Sequence, residues 1–419
     1  MREVFILGAG CTPFGRHLDT SISALAAESV EAAISDAGSE LEGAAIESVW
    51  FGSAFADRWG QANIRGQAVL APLVERGTLP LRIPITNVEG ACATGSFALR
   101  GAVNEIRACD VDVAMAVGVE KMHLPGAATD IFDALAGCAE NLDGDRLERT
   151  YRNVAADAGR DWLAERGKSL FLETYAVQAQ LHMNAYDVTP EQVAIASAKT
   201  HCYASQNPLA QYRFEMSPAD VLSDRAITHP FTRAMCAPIT DGAAAVIVCS
   251  RDWLARQPRR VRERAVTVRG IGVATGSYGR TAHDPSVSRF AAHRAYAQAQ
   301  SGPGEIDVVE VHDATSYAEI FQLEMLELCS PGEGAKLAES GETGPGGALP
   351  VNTSGGLVAK GHPVGATGLS MIYELTAQLR GEAGSRQADG ARIGLAENGG
   401  GVLGLEEATC VVTILEGAR

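Results

Sequence analysis

The sequence predicts an α/β protein built from two related halves, with a helical insertion in the first half. Three observations indicate this fold class. Short apolar, β-rich runs alternate with helical stretches along the chain, and runs of the same kind recur in the same order after residue 250. One interval of the first half is also much longer than its counterpart in the second. Alternating strands and helices are typical of sheets covered by helices, and they predict sheets that are mostly parallel.

The repeat begins with two β-rich runs, residues 4–10 and 266–272, and each ends on a Gly-x-Gly bend. Helical stretches lie near 22–37 and 288–300, where apolar residues recur at spacings of three and four. Because the order and kind of element agree, we expect the members of each pair to occupy equivalent positions in the two halves.

Four further pairs of predicted strands continue the correspondence in the same order. They are residues 45–53 and 305–313, 81–87 and 349–352, 114–120 and 392–398, and 243–250 and 408–416. The runs at 81–87 and 349–352 each lead into a Gly- and Ala-rich helix, which begins near residue 91 in one half and near 365 in the other. The repeat therefore predicts one half at 1–250 and a second half at 251–419.

The long interval of the first half, residues 122–230, predicts a helical and polar insertion that folds over the layered body as a lid or substrate domain. Ten cationic residues lie in this interval or just after it: Arg146, Arg149, Arg152, Arg160, Arg166, Lys168, Lys199, Arg213, Arg225 and Arg233. These cations could receive a phosphorylated cofactor, or they could form ordinary ion pairs on a solvated helix face. The sequence leaves both interpretations open.

Composition excludes several classes of function. Hydrophobic residues make up 46% of the 419 and charged residues 21%, which excludes a mainly disordered chain. The formal net charge of −16 argues against a nucleic acid or an anionic membrane surface as the main partner. No uncharged apolar run reaches the length of about 18 residues that a transmembrane helix needs. The nine cysteines contain no C-x-x-C pair, which favours reduced thiols in a cytoplasmic compartment over a metal site.

Cys92 is the first candidate for chemistry. It follows a predicted strand, and a helical pattern opens at Gly95. The free N–H groups and the dipole at a helix N-terminus favour a thiolate, and Gly90, Ala91 and Ala93 leave room for a substrate beside the sulfur. We therefore expect Cys92 to be a nucleophile rather than a small buried hydrophobic residue.

His362 is the second candidate, and it lies in the glycine-rich run 351–368. So many glycines around one histidine predict a loop whose backbone approaches a neighbouring group closely, and not a core helix or strand. His362 would stand at the mouth of a helix that starts near Gly365. Because imidazole exchanges protons near neutral pH, His362 is suited to take the proton of a thiol.

Two further candidates lie where predicted strands end. His312 follows one apolar run, and Glu397 follows another, shortly before Gly399, Gly400 and Gly401. The C-terminal ends of strands are where open α/β sheets place functional groups. Glu397 could be a general base or an ordinary turn residue, and spacing alone does not decide between them.

The repeat places Cys92 and the His362 loop at the same position in the two halves. Related halves that pack about a pseudo-two-fold axis would bring these two loops together. A cysteine and a histidine on facing loops form a thiolate–imidazole pair, which is the usual apparatus of acyl transfer through a thioester. The sequence therefore predicts an acyl-transfer site between the halves.

The whole chain resembles the thiolase superfamily, and most of all its sterol-carrier-protein type and its archaeal type. Six motifs that span both halves carry the resemblance: NVEGACATGSFA around Cys92, GVEKM at 118–122, PITDGAAAVIV at 238–248, EVHDAT around His312, GGALPVNTSGGLVAKGHPVGATG around His362, and ENGGG at 397–401. The combination is far more specific than any single motif.

The resemblance implies a five-layer αβαβα fold, a homodimer or tetramer, and coenzyme A thioesters as substrates, with no bound cofactor. It also implies that Cys92 becomes acylated, that His362 activates the thiol, and that His312 helps to hold the thioester oxygen of the second substrate. Backbone N–H groups of Cys92 and of glycines 399–401 would bind the other oxyanion. Some archaeal-type relatives work with a small OB-fold, zinc-ribbon partner protein, so such a partner is a further expectation.

The sequence departs from the family at the second acid/base, which moves a proton at the α-carbon. Conventional thiolases place a cysteine just before the last glycine-rich run, archaeal-type members have a histidine there, and sterol-carrier-type members carry a cysteine two residues after the HD histidine. These positions here are Glu397 and Ala314. Glu397, if it is desolvated, could act as the α-carbon base with a raised pKa; otherwise the second half-reaction must differ.

Three functions are consistent with these patterns. The first is an acyl-CoA C-acyltransferase that cleaves a 3-oxoacyl-CoA, or runs the reverse Claisen condensation, through acyl-Cys92. The second is a specialised condensing or C-acylating enzyme in which Glu397 takes the place of the usual second cysteine or histidine. The third is a CoA-thioester-binding subunit or scaffold without turnover. The joint presence of Cys92, His312 and His362 argues against the third, because a scaffold has no need of all three.

Overall fold

The computed structural model describes residues 2–38, 41, 43–123, 130–143, 145–163, 169–282 and 284–418. Within these residues the strands are β1 (Val4–Cys11), β2 (Ser48–Gly52), β3 (Ile85–Val88), β4 (Val113–Glu120), β5 (Ala226–Thr228), β6 (Phe231–Thr232), β7 (Gly242–Ser250), β8 (Val266–Thr275), β9 (Val308–Glu310), β10 (Ile393–Gly400) and β11 (Thr409–Glu416).

The α-helices of the same residues are α1 (Ile22–Ala37), α2 (Arg65–Glu75), α3 (Thr94–Arg107), α4 (Asp130–Ala136), α5 (Arg146–Asp157), α6 (Leu170–Tyr186), α7 (Pro190–Ser205), α8 (Pro218–Ser223), α9 (Arg251–Ala255), α10 (Arg259–Arg264), α11 (Val287–Ala299), α12 (Ser316–Met325), α13 (Gly334–Glu339) and α14 (Thr367–Arg380). None of these helices is both long and apolar enough to cross a membrane.

Nine strands form one sheet in the order β3-β2-β4-β7-β1-β8-β11-β10-β9. β1 and β8 meet at its centre through only two residue pairs, Phe5 with Thr267 and Ile6 with Val266. From β1 outward, β7 and β4 are each antiparallel to the preceding strand and β2 is parallel to β4. From β8 outward, β11 and β10 are antiparallel and β9 is parallel to β10. The same succession of directions therefore runs outward from the centre on both sides.

The buried residues arrange these elements in five layers. α3 and α14 form the middle layer, since Leu99 and Ile372 belong to one apolar core with strand residues of both halves. α1 and α2 cover the outer face of the first half through Leu25 and Leu70, and α11 covers the outer face of the second through Ala291. This confirms the α/β class and the five-layer order, whereas the division of the chain at residue 250 stays a prediction.

The expectation of mostly parallel sheets is wrong. Five of the eight strand pairings in the large sheet are antiparallel. The link 401–408 between β10 and β11 is too short for the crossover that a parallel pair needs, so these two strands pair antiparallel. Residues 349–352 form no strand but a single parallel bridge, Val351 with Val309.

The insertion is helical, as predicted, and contains α4 to α8 and the strand β5, which pairs with β6 just beyond residue 230. Its helices α6 and α7 share a core with α12, in which Tyr175 and Val193 join Tyr317 and Ile320. The insertion is therefore packed against the segment that follows β9, where His312 lies.

Candidate active site

The nucleophile turn, residues 90–93, joins β3 to α3. Ala91, Cys92 and Ala93 form one turn of 3-10 helix directly before α3, and Ala91 has a left-handed backbone with φ of 49°. Such strain costs about 1–3 kcal/mol and clusters at functional sites. β10 packs directly on this turn, because a Cβ at Gly400 would lie 2.2 Å from the Gly90 carbonyl oxygen and 2.8 Å from the Ala93 nitrogen. Only glycine at position 400 permits this approach to Cys92.

The Cys92 thiol is buried, with 8% of the residue exposed. Burial raises the pKa of Cys92 to about 12, although the N–H groups of Gly401 and of Cys92 itself act to lower it. Desolvation thus raises the pKa of Cys92 more than these N–H groups lower it. Burial therefore opposes the thiolate that the helix terminus favours, and the neutral thiol requires a base when it attacks.

The histidine loop, residues 361–366, leads into α14 and lies against the first half of the chain. A Cβ at Gly365 would be 2.9 Å from the carbonyl oxygen of Val119 and 3.0 Å from the Cα of Ser53. The buried Glu120 carboxylate accepts the Gly365 N–H at 3.1 Å and three more hydrogen bonds from residues 53–55. This contact holds the histidine loop beside the nucleophile turn, so that the N-termini of α3 and α14 meet.

The hydrogen bonds around His362 set its tautomer. Its Nδ1 lies 2.7 Å from Thr367 Oγ1, and the Thr367 hydroxyl donates to the Pro363 carbonyl oxygen at 3.0 Å. With its single proton used in this way, the hydroxyl accepts from Nδ1–H, and Nε2 is left with a free lone pair. Burial lowers the pKa of His362 well below its ordinary value, so the ring is neutral. His362 can therefore act as a base through Nε2.

His312 has the opposite tautomer. The Asn398 amide nitrogen donates to His312 Nδ1 at 3.1 Å, while the Asn398 oxygen accepts from the Ser96 hydroxyl at 2.9 Å. A neutral ring that accepts at Nδ1 carries its proton on Nε2. Burial lowers the pKa of His312 to about 4, which keeps the ring neutral. His312 is therefore a hydrogen-bond donor toward an oxygen atom at Nε2.

The structure brings Cys92, His312 and His362 together. One side-chain atom of each lies within 4.8 Å of the other two, and the two imidazole rings meet edge to face with centroids 5.0 Å apart. The three atoms are also close enough to hold a metal ion, an arrangement that the cysteine spacing did not predict. The two tautomers are complementary. The free Nε2 of His362 suits proton transfer, and the Nε2–H of His312 suits binding to an oxygen atom.

A cavity of about 220 Å³ opens beside these three residues. Glycines 399–401 form one part of its wall. The rest is mainly apolar: Met122, Phe132, Leu135, Phe171, Leu172, Ile227, Ala237, Pro238, Ile239 and Ala314. Besides the three reactive residues, the polar side chains of the wall are Cys138, Ser169, Tyr175, Tyr212, Arg233, Cys236 and Glu407. The cavity can therefore take an apolar group with a reactive polar end next to Cys92.

Glu397 is not in the wall of this cavity. Its carboxylate accepts the backbone N–H of His312 at 3.0 Å and the Cys410 thiol at 3.2 Å, so it ties the end of β9 to β10 and β11. Burial raises the pKa of Glu397 to about 8, with the charge of Glu407 adding to the effect. The raised pKa agrees with the expectation from the sequence, but the carboxylate is not brought to the reacting atoms.

The raised pKa of Glu397 predicts that the difference in stability between the parent protein and Glu397→Gln depends on pH. A carboxyl that binds its proton more tightly in the folded state stabilises the fold at low pH, and this stabilisation is lost as pH rises from the unfolded pKa toward about 8. We expect Glu397→Gln, which cannot ionise, to gain in melting temperature relative to the parent protein between pH 5 and 8. Parallel thermal melts across that range test this; a constant difference would contradict it.

Sequence reasoning missed five groups of this site. Asn398, Thr367 and Glu120 stand inside recognisable motifs, but a motif does not show which hydrogen bond each residue makes. Cys138 reaches the cavity from the insertion and Glu407 from the link between β10 and β11. Neither has a local pattern that signals its position, because only the packing of distant segments places it there.

Five of the cations predicted in or near the insertion form ion pairs in the structure, as the second interpretation expects. Arg160 pairs with Glu173 at 2.8 Å, and Lys199 pairs with Glu319 at 2.7 Å. Ion pairs are also formed by Arg149, Arg152 and Arg233. Arg146 lies over the Tyr278 ring at 3.8 Å. Arg166 and Lys168 lie outside the described residues.

Comparisons with known proteins agree on one family and together span most of the chain. A family model described as thiolase, N-terminal domain, matches residues 4–228, and one described as thiolase C-terminal domain-like matches residues 280–415. An acetyl-CoA acetyltransferase of Methanothermobacter thermautotrophicus is 36% identical over 96% of this chain and 98% of its own. Sterol carrier protein 2 of Rattus norvegicus is 31% identical over 94% of this chain and 69% of its own. The solved Ltp2-ChsH2(DUF35) aldolase has a TM-score of 0.74 at 20% identity, covering 99% of this chain and 98% of that one.

Proposed function

This chain belongs to the thiolase family of acyltransferases, and we propose that it is an acyl-CoA C-acyltransferase that works through an acyl group carried on Cys92. The reaction is thiolytic cleavage of a 3-oxoacyl-CoA or its reverse, a Claisen condensation of two acyl-CoA molecules. The observation that supports this most is the meeting of Cys92, His312 and His362 at one cavity. A thiol, a base and an oxygen-binding donor are the groups that this chemistry requires.

In the first half-reaction, His362 Nε2 takes the proton of Cys92 as the sulfur attacks the thioester carbonyl carbon. Negative charge then develops on the carbonyl oxygen, and the N–H groups of Gly401 and Cys92, which already face the sulfur, are placed to stabilise it. When the tetrahedral intermediate collapses, the CoA sulfur leaves and receives the proton from His362. The product is acyl-Cys92 and free CoA.

In the second half-reaction, the acyl group moves from Cys92 to the α-carbon of a second acyl-CoA. His312 Nε2–H donates to the thioester oxygen of that molecule and stabilises the enolate that forms when the α-proton is removed. The enolate carbon attacks the acyl-Cys92 carbonyl, and the Cys92 sulfur leaves. Thiolysis runs the same steps in reverse.

Exchange of labelled CoA into acyl-CoA tests the proposal, because a covalent acyl-enzyme exchanges the CoA of one substrate in the absence of a second. We expect exchange with a panel of acyl-CoA thioesters, and the preferred chain length will identify the acyl group that the apolar wall accepts. Binding of CoA thioesters without exchange would favour the scaffold. Exchange without thiolysis of acetoacetyl-CoA and without self-condensation of acetyl-CoA would favour the specialised condensing enzyme.

Asn398 provides a further prediction. Asn398→Ala removes the amide that donates to His312 Nδ1, and a buried nitrogen left without its partner costs about 1–3 kcal/mol, on the order of 10–100-fold in rate. We expect kcat for acetoacetyl-CoA thiolysis to fall by about that factor while KM changes little. The double variant with His312→Ala should be no slower than His312→Ala alone, since Asn398 acts only by orienting the His312 Nε2–H, which His312→Ala already removes. Additive losses in the double variant would contradict this role.

Oligomeric state and partners are part of the same proposal. We propose a homodimer or tetramer, and also a small OB-fold partner protein, which is supported by the similarity to the Ltp2-ChsH2(DUF35) aldolase, whose name includes a DUF35 component. Size-exclusion chromatography with light scattering tests the first expectation. Copurification of a small protein with the tagged chain from its own host tests the second.

A further inference from the structure

Glu407 is the one carboxylate that the described residues contribute to the wall of the Cys92 cavity. It lies on the link between β10 and β11, and 8% of the residue is exposed. Nothing in the mechanism above uses it. The second half-reaction, however, lacks an assigned group to remove the α-proton, so a carboxylate in this wall requires an explanation.

Neighbouring groups hold the Glu407 side chain beside the glycine run. A Cβ at Gly399 would lie 2.6 Å from Glu407 Cγ and 3.3 Å from its Oε1. The Gln322 amide donates to Oε1 at 3.0 Å, whereas the Ser286 hydroxyl is 3.4 Å from Oε2. Oε1 is therefore well held, and Oε2 keeps most of its capacity to accept a proton.

The surroundings of Glu407 favour a basic carboxylate. Burial raises the pKa of Glu407 above its usual value, although its own backbone N–H and the charge of Arg280 act to lower it. The phenol of Tyr175 lies in the same wall, and burial together with Glu407 and Cys92 raises its pKa well above the usual value, so it stays protonated. A carboxyl with a raised pKa is a better base when ionised and a usable acid when protonated.

Three other groups compete for the role. Glu397 uses both oxygens on His312 N–H and the Cys410 thiol, outside the cavity wall. Cys138 and Cys236 do line the cavity, but burial raises the pKa of both thiols, and neither is grouped with the two imidazoles as Cys92 is. Geometry therefore disfavours Glu397, and the two thiols lack a neighbouring base that would ionise them.

We propose that Glu407 is the second acid/base of this enzyme, the group that removes and returns the α-proton; the inference rests on the proposed function. In condensation, the Glu407 carboxylate takes a proton from the α-carbon of the bound acyl-CoA, and the C–H electron pair becomes the enolate. The enolate carbon bonds to the acyl carbonyl carbon, the C–S bond to Cys92 breaks, and the electron pair goes to the sulfur. The proton on Glu407 then returns to that sulfur, which restores both groups.

Two half-reaction assays on Glu407→Gln test the proposal. CoA exchange follows acylation of Cys92, and deuterium incorporation from D2O into the methyl group of acetyl-CoA follows α-proton removal. We expect CoA exchange within about threefold of the parent protein and α-proton exchange lowered by about 10²–10⁴-fold, the usual contribution of a general base. Glu406→Gln is the matched control, since Glu406 is the adjacent carboxylate on the same link, bonds to the N–H groups of Ser277 and Val287, and is not in the cavity wall.

Each of the other outcomes would overturn the proposal, reassign the role to another group, or overturn the proposed function itself. Normal α-proton exchange in Glu407→Gln, or equal losses in both assays, would overturn the proposal, because the residue would then be dispensable or merely structural. Selective loss of α-proton exchange in Glu397→Gln or Cys138→Ala, with Glu407→Gln unaffected, would reassign the role to that group. If the parent protein itself shows no CoA exchange, the proposed function fails, independently of Glu407. Retained CoA exchange also shows that the variant is folded.

Discussion

Replacement of Cys92 by alanine is expected to abolish both CoA exchange and thiolysis. The residue supplies the atom that carries the acyl group, and no other described thiol is placed next to both imidazoles. Loss of the nucleophile in an acyl-transfer enzyme lowers kcat on the order of 10⁶-fold, so the remaining rate should be close to background. Initial rates of acetoacetyl-CoA cleavage at saturating CoA measure the effect.

Cys249→Ala is the matched control for this variant. Cys249 is fully buried in β7 and is absent from the cavity wall. Its replacement removes a sulfur of similar burial without touching the reacting atoms, so its rates should remain close to those of the parent. Comparable losses in both variants would mean that the Cys92 effect reports damage to the fold, and would contradict a nucleophilic role.

Replacement of His362 by alanine is expected to give the second largest effect. With a pKa of about 12, only about one Cys92 thiol in 10⁴ would be ionised at pH 8 without help. The base at Nε2 overcomes this cost in the transition state, and general bases contribute about 10²–10⁴-fold. CoA exchange should therefore fall by about that factor in His362→Ala.

The pH profile of His362→Ala distinguishes a base from a structural residue. Without the imidazole, the reaction depends on direct ionisation of the thiol, so the residual rate should keep rising with pH up to the highest pH that the fold tolerates. The double variant with Cys92→Ala should be no slower than Cys92→Ala alone, because the two groups act as a unit. A flat pH profile, or additive losses, would contradict the assignment.

The order of elements could be predicted from the sequence because periodicity and repetition are local signals. The helix predicted at 22–37 is α1, Ile22–Ala37, and the paired runs at 114–120 and 392–398 are β4 and β10. The close approach predicted for the glycine-rich run is realised at Gly365, where a Cβ would meet the Val119 carbonyl oxygen. In these cases the local residue pattern is enough to predict the element or the close approach.

The rest depends on packing between distant segments, which leaves no local pattern. The antiparallel pairing of β10 with β11 follows from the length of their link and not from the composition of either strand. The resting protonation of Cys92 depends on burial, which outweighs the helix terminus that the sequence does show. Asn398 reaches His312, and Glu407 reaches the cavity, only because β9, β10 and the link after β10 pack together.

The central claim is that the acyl group is carried on Cys92, and locating that group tests it most directly. The protein is mixed with isotopically labelled acetyl-CoA or its preferred acyl-CoA, quenched in acid within one turnover, digested and analysed by mass spectrometry. We predict a single acyl mass increment on the peptide that contains Cys92, and its removal when free CoA is added before the quench. A labelled peptide that lacks Cys92, or no covalent label with any thioester, would contradict the account.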